Sequence, residues 1–268
     1  MNTIIFAAAM VTIIGIICAV VLSAASKIMH VKVDERITLL TDCMPGANCG
    51  ACGYPGCSAY ANALISGNVK TNLCTPGGEA VLLKISSILG VEGESIEKKI
   101  AVVNCYCNIG RQQKKMDYKG VYSCEAARAL YGGENACAFG CLGYGDCKTV
   151  CPSGAICMEE GIARIVPNLC SGCGVCVKTC PNNLISIEKA SSRVFVLCKN
   201  IEKGAVTRKK CVSGCIACTK CVKECPENAI TITENLAQID REKCSNCGKC
   251  IEVCVTKCIK LNYFPAVS

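Results

Sequence analysis

Two stretches of sequence decide the fold: CAFGCLGYGDCKTVCP at residues 137–152 and CVSGCIACTKCVKECP at residues 211–226, which align without a gap. Each is followed by a second cysteine run, and CSGCGVCVKTCP at 170–181 aligns on CSNCGKCIEVCV at 244–255. Self-similarity at a constant spacing is the signature of a repeated structural unit. The sequence therefore predicts two tandem copies of one small unit, each built around two cysteine runs.

Cysteine is unusually abundant, with 29 in 268 residues, and the chain has no Trp and only four Phe. A composition this rich in cysteine indicates either a disulfide scaffold or a metal protein. The cysteine total is odd, and most of the cysteines lie two to five residues apart, where they cannot all satisfy disulfide geometry with one another. Metal ligation is therefore the favoured interpretation.

The motif C-x2-C-x2-C-x3-C-P occurs in full at 170–181 and at 215–226. In bacterial two-cluster ferredoxins the first three cysteines of this motif hold one 4Fe-4S cluster, and the fourth reaches the other cluster. Structural zinc sites use two C-x2-C pairs that lie further apart, so zinc is the weaker alternative. The repeats are therefore predicted to be ferredoxin-like units with two clusters each.

The crossed ligation rule assigns every ligand in the second unit, although Val255 replaces the usual proline after the last cysteine. One predicted cluster uses Cys215, Cys218, Cys221 and Cys254. The other uses Cys225, Cys244, Cys247 and Cys250.

The first unit lacks one expected ligand, because Tyr144 aligns with Cys218. We predict that Cys137 replaces it, since its aligned partner Cys211 is not needed in the second unit. One predicted cluster then uses Cys137, Cys141, Cys147 and Cys180. The other uses Cys151, Cys170, Cys173 and Cys176.

A glycine-rich loop, MPGANCGACGYPGC at 44–57, precedes the repeats, and LCTPGG follows it at 73–78. Glycines let a backbone approach a cluster closely and donate N–H groups to its sulfur atoms. The C-x2-C-x4-C-x16-C spacing predicts one further 4Fe-4S site, with a zinc site as the alternative. Its predicted ligands are Cys49, Cys52, Cys57 and Cys74.

Five sets of four ligands leave nine thiols unassigned. Two interpretations stay open for five of them: a sixth metal site, or buried free thiols, which we favour. These five are Cys105, Cys107, Cys124, Cys198 and Cys211. Three others are expected to pack as small side chains: Cys18, Cys157 and Cys258. The last, Cys43, stands two residues before the first proline of the glycine-rich loop.

Residues 3–26 carry no charge and exceed the roughly 20 residues that a helix needs to cross a bilayer. The first basic side chains, Lys27, Lys32 and Arg36, come after this run, which predicts a cytoplasmic C-terminal body by the positive-inside rule. A cleaved secretory signal is the alternative, but it lacks a basic start. His30 is interpreted as an interfacial residue. The prediction is a single-pass protein of the cell (inner) membrane, with the lipid bilayer as a partner.

The formal charge of +8 would ordinarily suggest a polyanionic partner. Each oxidised 4Fe-4S core brings about +2 and four thiolates, so five clusters would lower the net charge to roughly −2. The stretch GCLGYG lacks the strand and helix context of a nucleotide loop, and no nucleophile with a paired base is evident. The sequence thus argues against nucleic-acid binding and against a substrate-converting site.

The order of an apolar N-terminal run, the PGANCGACGYPGC loop with Cys74 in CTPGG, and the ferredoxin runs resembles the B subunit of the Rnf complex, an ion-translocating ferredoxin:NAD oxidoreductase. The resemblance covers nearly the whole chain, and the loop is its most specific part. It implies an iron–sulfur subunit that receives electrons from soluble ferredoxin, with other subunits of a membrane complex as partners. An iron–sulfur subunit of another membrane-bound reductase or dehydrogenase is the alternative, although it does not predict the loop.

The predicted fold class is α+β, with five 4Fe-4S clusters. Six segments are expected along the chain: a transmembrane anchor at 1–26, a 4Fe-4S loop module with helices at 27–104, a connector at 105–136, the first ferredoxin-like unit at 137–190, a linker at 191–210 and the second unit at 211–268.

Overall fold

A computed structural model describes residues 2–28, 34–67, 69–92, 97–107 and 113–261. The prediction for His30 falls outside the described residues. The helices are α1 Asn2–Ile28, α2 Glu35–Cys43, α3 Cys57–Ile65, α4 Gly78–Leu89, α5 Cys124–Ala129, α6 Asp146–Thr149, α7 Val175–Thr179, α8 Gly204–Lys210, α9 Lys220–Lys223 and α10 Lys249–Glu252. The strands are β1 Lys99–Val103, β2 Ile156–Glu159, β3 Ile162–Ile165, β4 Ile185–Lys189, β5 Val194–Val196, β6 Ile230–Thr233, β7 Leu236–Ile239 and β8 Ile259–Leu261.

The two repeats fold alike, and each contains two antiparallel strand pairs. In the first unit β1 pairs with β4 and β2 pairs with β3. In the second unit β5 pairs with β8 and β6 pairs with β7. The mixed helix and strand content agrees with the predicted α+β class. Each unit therefore closes by pairing its first strand with its last.

The first strand of each unit lies upstream of the boundary that the sequence suggested. β1 falls within the predicted 27–104 module, and β5 falls within the predicted 191–210 linker, which also contains α8. Backbone N–H and C=O groups in a strand need partners, and these are supplied by the last strand of the same unit. The units in space thus begin at β1 and at β5.

The segment at 27–104 was expected to contain helices beside its cysteine loop, but residues 99–103 at its end form the strand β1. The strand is rich in β-branched residues, and the four residues after Lys99 are all buried. Ala101 and Val103 face the core of the first unit, whereas Val102 packs with Phe195 and Leu197 of the second. Burial on both faces suits a strand and leaves no polar helical face.

The N-terminal module has its own apolar core, in which α2, α3 and α4 pack around Leu40, Tyr60 and Ile85. The Tyr60 hydroxyl donates a hydrogen bond to the Lys70 carbonyl at 2.8 Å and accepts one from the Leu73 N–H at 3.3 Å. These bonds fasten the loop that carries Cys74 to α3.

The membrane anchor predicted at 1–26 is not supported. A spanning helix needs about 20 apolar residues in succession. Over the part of the chain that the structure describes, no helix satisfies both the length and the apolarity that a membrane crossing requires.

Candidate metal centres

Site 1 lies in the N-terminal module and brings together Cys49, Cys52, Cys57 and Cys74. Burial raises the pKa of the Cys74 thiol, and the negative charges of the three other cysteines raise it further. The loop before α3 is shaped by left-handed residues, among them Gly50 at φ 70° and Gly53 at φ 87°. The other three thiols that the loop spacing predicted therefore lie close to Cys74.

Site 2 lies in the first unit and contains Cys151, Cys170, Cys173 and Cys176, as the crossed rule predicted. The four cysteines line a cavity of about 320 Å³. Burial raises the pKa of Cys176 to about 12, with a further contribution from the charges of the three others.

Backbone N–H groups point at the sulfur atoms of site 2. The Ala101 N–H donates to Cys170 Sγ at 3.4 Å, and the Ala155 N–H donates to Cys151 Sγ at 3.3 Å. Such donors stabilise thiolates that ligate an iron–sulfur cluster and tune its potential. The donor set of site 2 fits a 4Fe-4S cluster.

Site 3, also in the first unit, contains Cys141, Cys147 and Cys180 together with Cys124. The four line a cavity of about 410 Å³. Burial raises the pKa of Cys147 to about 12, and the charges of the other three cysteines add to the shift. Cys137, which was predicted to complete this set, does not line the cavity and lies at a different one.

Cys124 enters site 3 because Asp146 fastens the start of α5 to the start of α6. One Asp146 carboxylate oxygen accepts hydrogen bonds from the Ser123 hydroxyl at 2.9 Å and from the Glu125 N–H at 3.2 Å. Burial raises the pKa of Cys124, while backbone N–H groups of Asp146, Tyr144 and Gly145 donate to its thiolate and oppose that shift. The side chain that lies beside Tyr144 in space is thus a cysteine from 20 residues upstream.

Tyr144 itself takes no place among the thiols. Its ring packs edge-on against Tyr118 and Tyr122, with ring centroids 5.6 and 5.7 Å away. Sequence reasoning left Cys124 among the spare thiols because no ferredoxin spacing reaches it. The only available signal was the missing ligand at position 144.

Site 4 lies in the second unit and contains Cys215, Cys218, Cys221 and Cys254, as predicted. Burial raises the pKa of Cys221 to about 11, and the charges of the other three cysteines contribute. Cys258 lies beside this set, with its Sγ 3.6 Å from Cys254 Sγ. A hydrogen bond from Cys258 lowers the pKa of Cys215 to about 6.

Site 5 contains Cys225, Cys244, Cys247 and Cys250, again as predicted, around a cavity of about 310 Å³. Burial raises the pKa of Cys250 to about 11. The Ala229 N–H donates to Cys225 Sγ at 3.3 Å, which repeats the bond from Ala155 to Cys151 in the first unit. Sites 2 and 5 are therefore equivalent by sequence and by hydrogen bonding.

The described residues contain no group of three or more Cys, His, Asp or Glu side chains arranged to hold a single metal ion. The quartets of sites 2, 3 and 5 instead surround cavities of about 310 to 410 Å³. All four cysteines of each quartet line one cavity, and four thiolates are the donor set of a 4Fe-4S cluster.

Comparison with known proteins identifies three iron–sulfur regions. A family model described as an Fe-S cluster matches residues 44–76, which contain site 1. Models described as 4Fe-4S dicluster domains match residues 169–230 and 214–258. The predicted 4Fe-4S chemistry is confirmed at this level, whereas the number of five clusters stays a prediction.

Several curated relatives match almost the entire chain, and each is named as the B component of an ion-translocating complex. The chain is 37% identical over 260 residues to the B subunit of the Na(+)-translocating ferredoxin:NAD(+) oxidoreductase complex of Acetobacterium woodii, covering 97% of this chain and 78% of the relative. It is 40% identical over 264 residues to the B subunit of the proton-translocating ferredoxin:NAD(+) oxidoreductase complex of Clostridium ljungdahlii, covering 97% and 93%. It is 38% identical over 249 residues to the B subunit of the ion-translocating oxidoreductase complex of Methanosarcina acetivorans, covering 92% and 94%. Together with the cysteine sites, these likenesses show that the chain belongs to the family of B subunits of the Rnf complex.

Proposed function

We propose that this chain is the iron–sulfur electron-transfer subunit of a membrane complex that couples electron flow between ferredoxin and NAD to ion translocation. The observation that carries the proposal is the series of cysteine quartets, each buried at least in part and supplied with backbone N–H donors. The names of the relatives supply the electron donor and acceptor. In this proposal other subunits convert NAD and move the ion, and soluble ferredoxin docks on the complex.

Each quartet is proposed to hold one 4Fe-4S cluster, which would supply reversible one-electron chemistry. Cys124 replaces Cys137 in the ligand set of site 3, because it lines the cavity there. The proposed ligands are Cys49, Cys52, Cys57 and Cys74 at site 1; Cys151, Cys170, Cys173 and Cys176 at site 2; Cys124, Cys141, Cys147 and Cys180 at site 3; Cys215, Cys218, Cys221 and Cys254 at site 4; and Cys225, Cys244, Cys247 and Cys250 at site 5.

The sites follow one another through the molecule, which supports a relay. A cleft lined by Gly50 and Ala51 on one side and by Cys173 and Gly174 on the other separates site 1 from site 2. Sites 2 and 3 adjoin. The pKa of Cys147 in site 3 is raised mainly by burial and by the other thiols of its own site, but the charge of Cys176 in site 2 also contributes. Sites 4 and 5 adjoin in the same way through Cys221 and Cys250.

The protein's own contribution to the relay is to shield the sites and to direct donors at sulfur. Burial and hydrogen bonds to sulfur are the main means by which a protein sets the potential of an iron–sulfur cluster. The apolar cores of both units include most of the proposed ligands of sites 2 to 5, whereas Cys218 and Cys247 are exposed. Short loops between regular elements hold these ligands in place.

Anaerobic reconstitution of the chain tests the proposal. We expect about 20 iron atoms per chain from sites 1 to 5, by the order-of-magnitude count of four per quartet. The visible absorption should bleach when a reduced two-cluster ferredoxin is added. Cys157→Ala is the matched control, because its thiol lies on β2 outside the quartets and takes no ligand role. Iron for only about one cluster, zinc in place of iron, or no bleaching by reduced ferredoxin would refute the proposal.

A further inference from the structure

Four cysteines outside sites 1 to 5 surround one more cavity. Cys105 follows β1, Cys198 follows β5, and Cys137 and Cys211 open the cysteine runs of the two units. All four line a cavity of about 340 Å³. Its size lies within the range of 310 to 410 Å³ found for the cavities of sites 2, 3 and 5.

The two units contribute to this cavity in equivalent ways. Cys105 lies two residues after β1 and Cys198 two residues after β5. The Cys141 N–H donates to Cys105 Sγ at 3.5 Å, and the Cys215 N–H donates to Cys198 Sγ at 3.3 Å. Cys141 and Cys215 are aligned in the repeat, so the two bonds are counterparts.

The other two cysteines are counterparts as well. Cys137 aligns with Cys211 in the repeat. Around the cavity, Phe139 and Gly140 of the first unit are matched by Ser213 and Gly214 of the second unit. The cavity therefore lies between the units and receives two thiols from each.

Polar groups at the cavity are directed at its sulfur atoms. Asn200, only 1% exposed, donates through its backbone N–H to Cys198 Sγ at 3.5 Å and through Nδ2 to Cys137 Sγ at 3.6 Å. A side chain that spans from one unit to a thiol of the other fixes the distance between them. Donors of this kind resemble those at site 2 and suit thiolates on a cluster.

We propose that Cys105, Cys137, Cys198 and Cys211 hold a sixth 4Fe-4S cluster at the junction of the two units, here called the bridging site. A quartet of thiols, a cavity of matching size and N–H donors at sulfur are the features shared with site 2. Iron binding at the bridging site stands on this geometry alone, whereas its part in electron transfer rests on the proposed function.

Cys107 is assigned a supporting role, because it occupies the position equivalent to Asn200, four residues after the last residue of the first strand in each unit. Asn200 contacts the sulfur of Cys137 across the junction. Cys107 correspondingly shares a hydrogen bond with Cys211, the cysteine of the other unit. Both residues thus contact a ligand from the opposite unit.

The bridging site lies between site 3 of the first unit and site 4 of the second. Cys105 accepts the N–H of Cys141, a ligand of site 3, and Cys198 accepts the N–H of Cys215, a ligand of site 4. A cluster at this position would adjoin site 3 in the first unit and site 4 in the second unit. Electrons could then pass from one unit to the other through consecutive clusters.

Iron and acid-labile sulfide analysis of the anaerobically reconstituted full chain tests the bridging site. We expect about 24 iron atoms per chain, and about 20 in Cys198→Ala and in Cys211→Ala, by the order-of-magnitude count of four per cluster. Cys157→Ala is the matched control and should keep about 24. The electron paramagnetic resonance spectrum of the reduced chain should lose the intensity of one cluster in the two bridging variants only.

The outcomes separate the bridging site from the proposed relay. About 20 iron atoms in the unchanged chain, with bleaching by reduced ferredoxin, would overturn the bridging site and leave the relay standing. If Cys198→Ala fails to fold, the iron count of the unchanged chain still decides between 20 and 24. The iron counts of Cys105→Ala and Cys107→Ala test the choice between these two cysteines. If Cys107→Ala loses about four iron atoms and Cys105→Ala loses none, the assignment of Cys105 as a ligand is overturned.

Discussion

Tyr144 stands where the second unit carries the ligand Cys218, and at the scale of single residues this substitution explains the difference between the units. In the first unit the thiol is supplied by Cys124, which Asp146 holds beside the Tyr144 backbone through the N-terminus of α5. In the proposed ligand set of site 3, a cysteine that is a neighbour in space thus takes the place of the aligned one. Cys137 does not belong to site 3 and lies with its counterpart Cys211 at the junction of the units.

Double variants can distinguish the two ligand assignments for site 3. Cys124→Ala and Cys147→Ala should each lose about four iron atoms per chain, and the double variant should lose no more, because both remove the same cluster. The pair Cys124→Ala with Cys137→Ala should lose about eight, since two clusters are affected. Iron analysis with sulfide analysis measures this.

The opposite pattern would restore the assignment made from the sequence. In that case Cys137→Ala and Cys147→Ala would be non-additive, and Cys124→Ala would retain its iron. The far-UV circular dichroism of each variant serves as the folding control.

The raised pKa values of the ligands predict a pH dependence of cluster assembly. Burial raises the pKa of Cys147 and Cys176 to about 12 and that of Cys250 to about 11, so these thiols are protonated at neutral pH in the metal-free chain. Iron binds the thiolate, and assembly must release these protons. Iron uptake at fixed iron and sulfide should therefore increase from pH 6.5 to pH 8.5. Uptake that is independent of pH, measured by the visible absorption, would contradict this reasoning.

At the scale of elements, β1 and β5 are decisive because each closes its unit and also carries a bridging cysteine just beyond its end. β1 is buried on both faces, with Val102 against Phe195 and Leu197 of the second unit. Arg241 strengthens the same junction, with Nε 2.9 Å from the Glu188 carboxylate and the guanidinium 4.8 Å from the Phe195 ring. The strands that complete the sheets thus also bring the units together.

Gly172, in the cysteine loop of site 2, lies close to Lys99 of β1, which predicts a steric effect of substitution. Its φ is +67°, and an added Cβ would lie 2.6 Å from the Lys99 carbonyl oxygen. Gly172→Ala should lower the thermal unfolding midpoint of the reconstituted chain, because the backbone of β1 or of the cysteine loop must shift. The cost should exceed the roughly 1–2 kcal/mol of a left-handed non-glycine residue.

Gly90→Ala is the matched control for this effect. Gly90 has almost the same φ, +68°, but an added Cβ there meets nothing within 4 Å. Equal shifts in the unfolding midpoint of the two variants would mean that backbone conformation alone, and not the contact with Lys99, sets the cost at Gly172.

At the scale of the whole molecule, the sheets within the described residues are all two-stranded, and the cores of both units are built partly from cysteines. Isolated two-stranded sheets are marginally stable in water. Clusters that link distant segments would supply the missing cross-links, since binding energy at a metal site is also folding energy. Site 2, for example, links the end of α6 to the loop before α7.

Removal of iron should therefore unfold the two units. An iron chelator under anaerobic reducing conditions is expected to abolish protection of β1 to β8 amides in hydrogen exchange. The N-terminal module should keep part of its helix signal, because Leu40, Tyr60 and Ile85 form a core of their own. Protection of the strands that persists after complete loss of iron would show that the apolar cores suffice. Reconstitution with iron and sulfide is the control for reversibility.

The sequence by itself determined the repeat, the 4Fe-4S chemistry and the family. The reason is that most ligands of one cluster lie within a few residues of one another, at a characteristic spacing. The crossed partners of sites 2, 4 and 5 also lie within that pattern, and the structure places those thiols together. Only the tertiary structure decided that Cys124 lines site 3, that Cys137 lies at the junction, and that 99–103 form a strand. Each of these depends on contacts between segments far apart in the chain, such as β1 with β4, which no local spacing records.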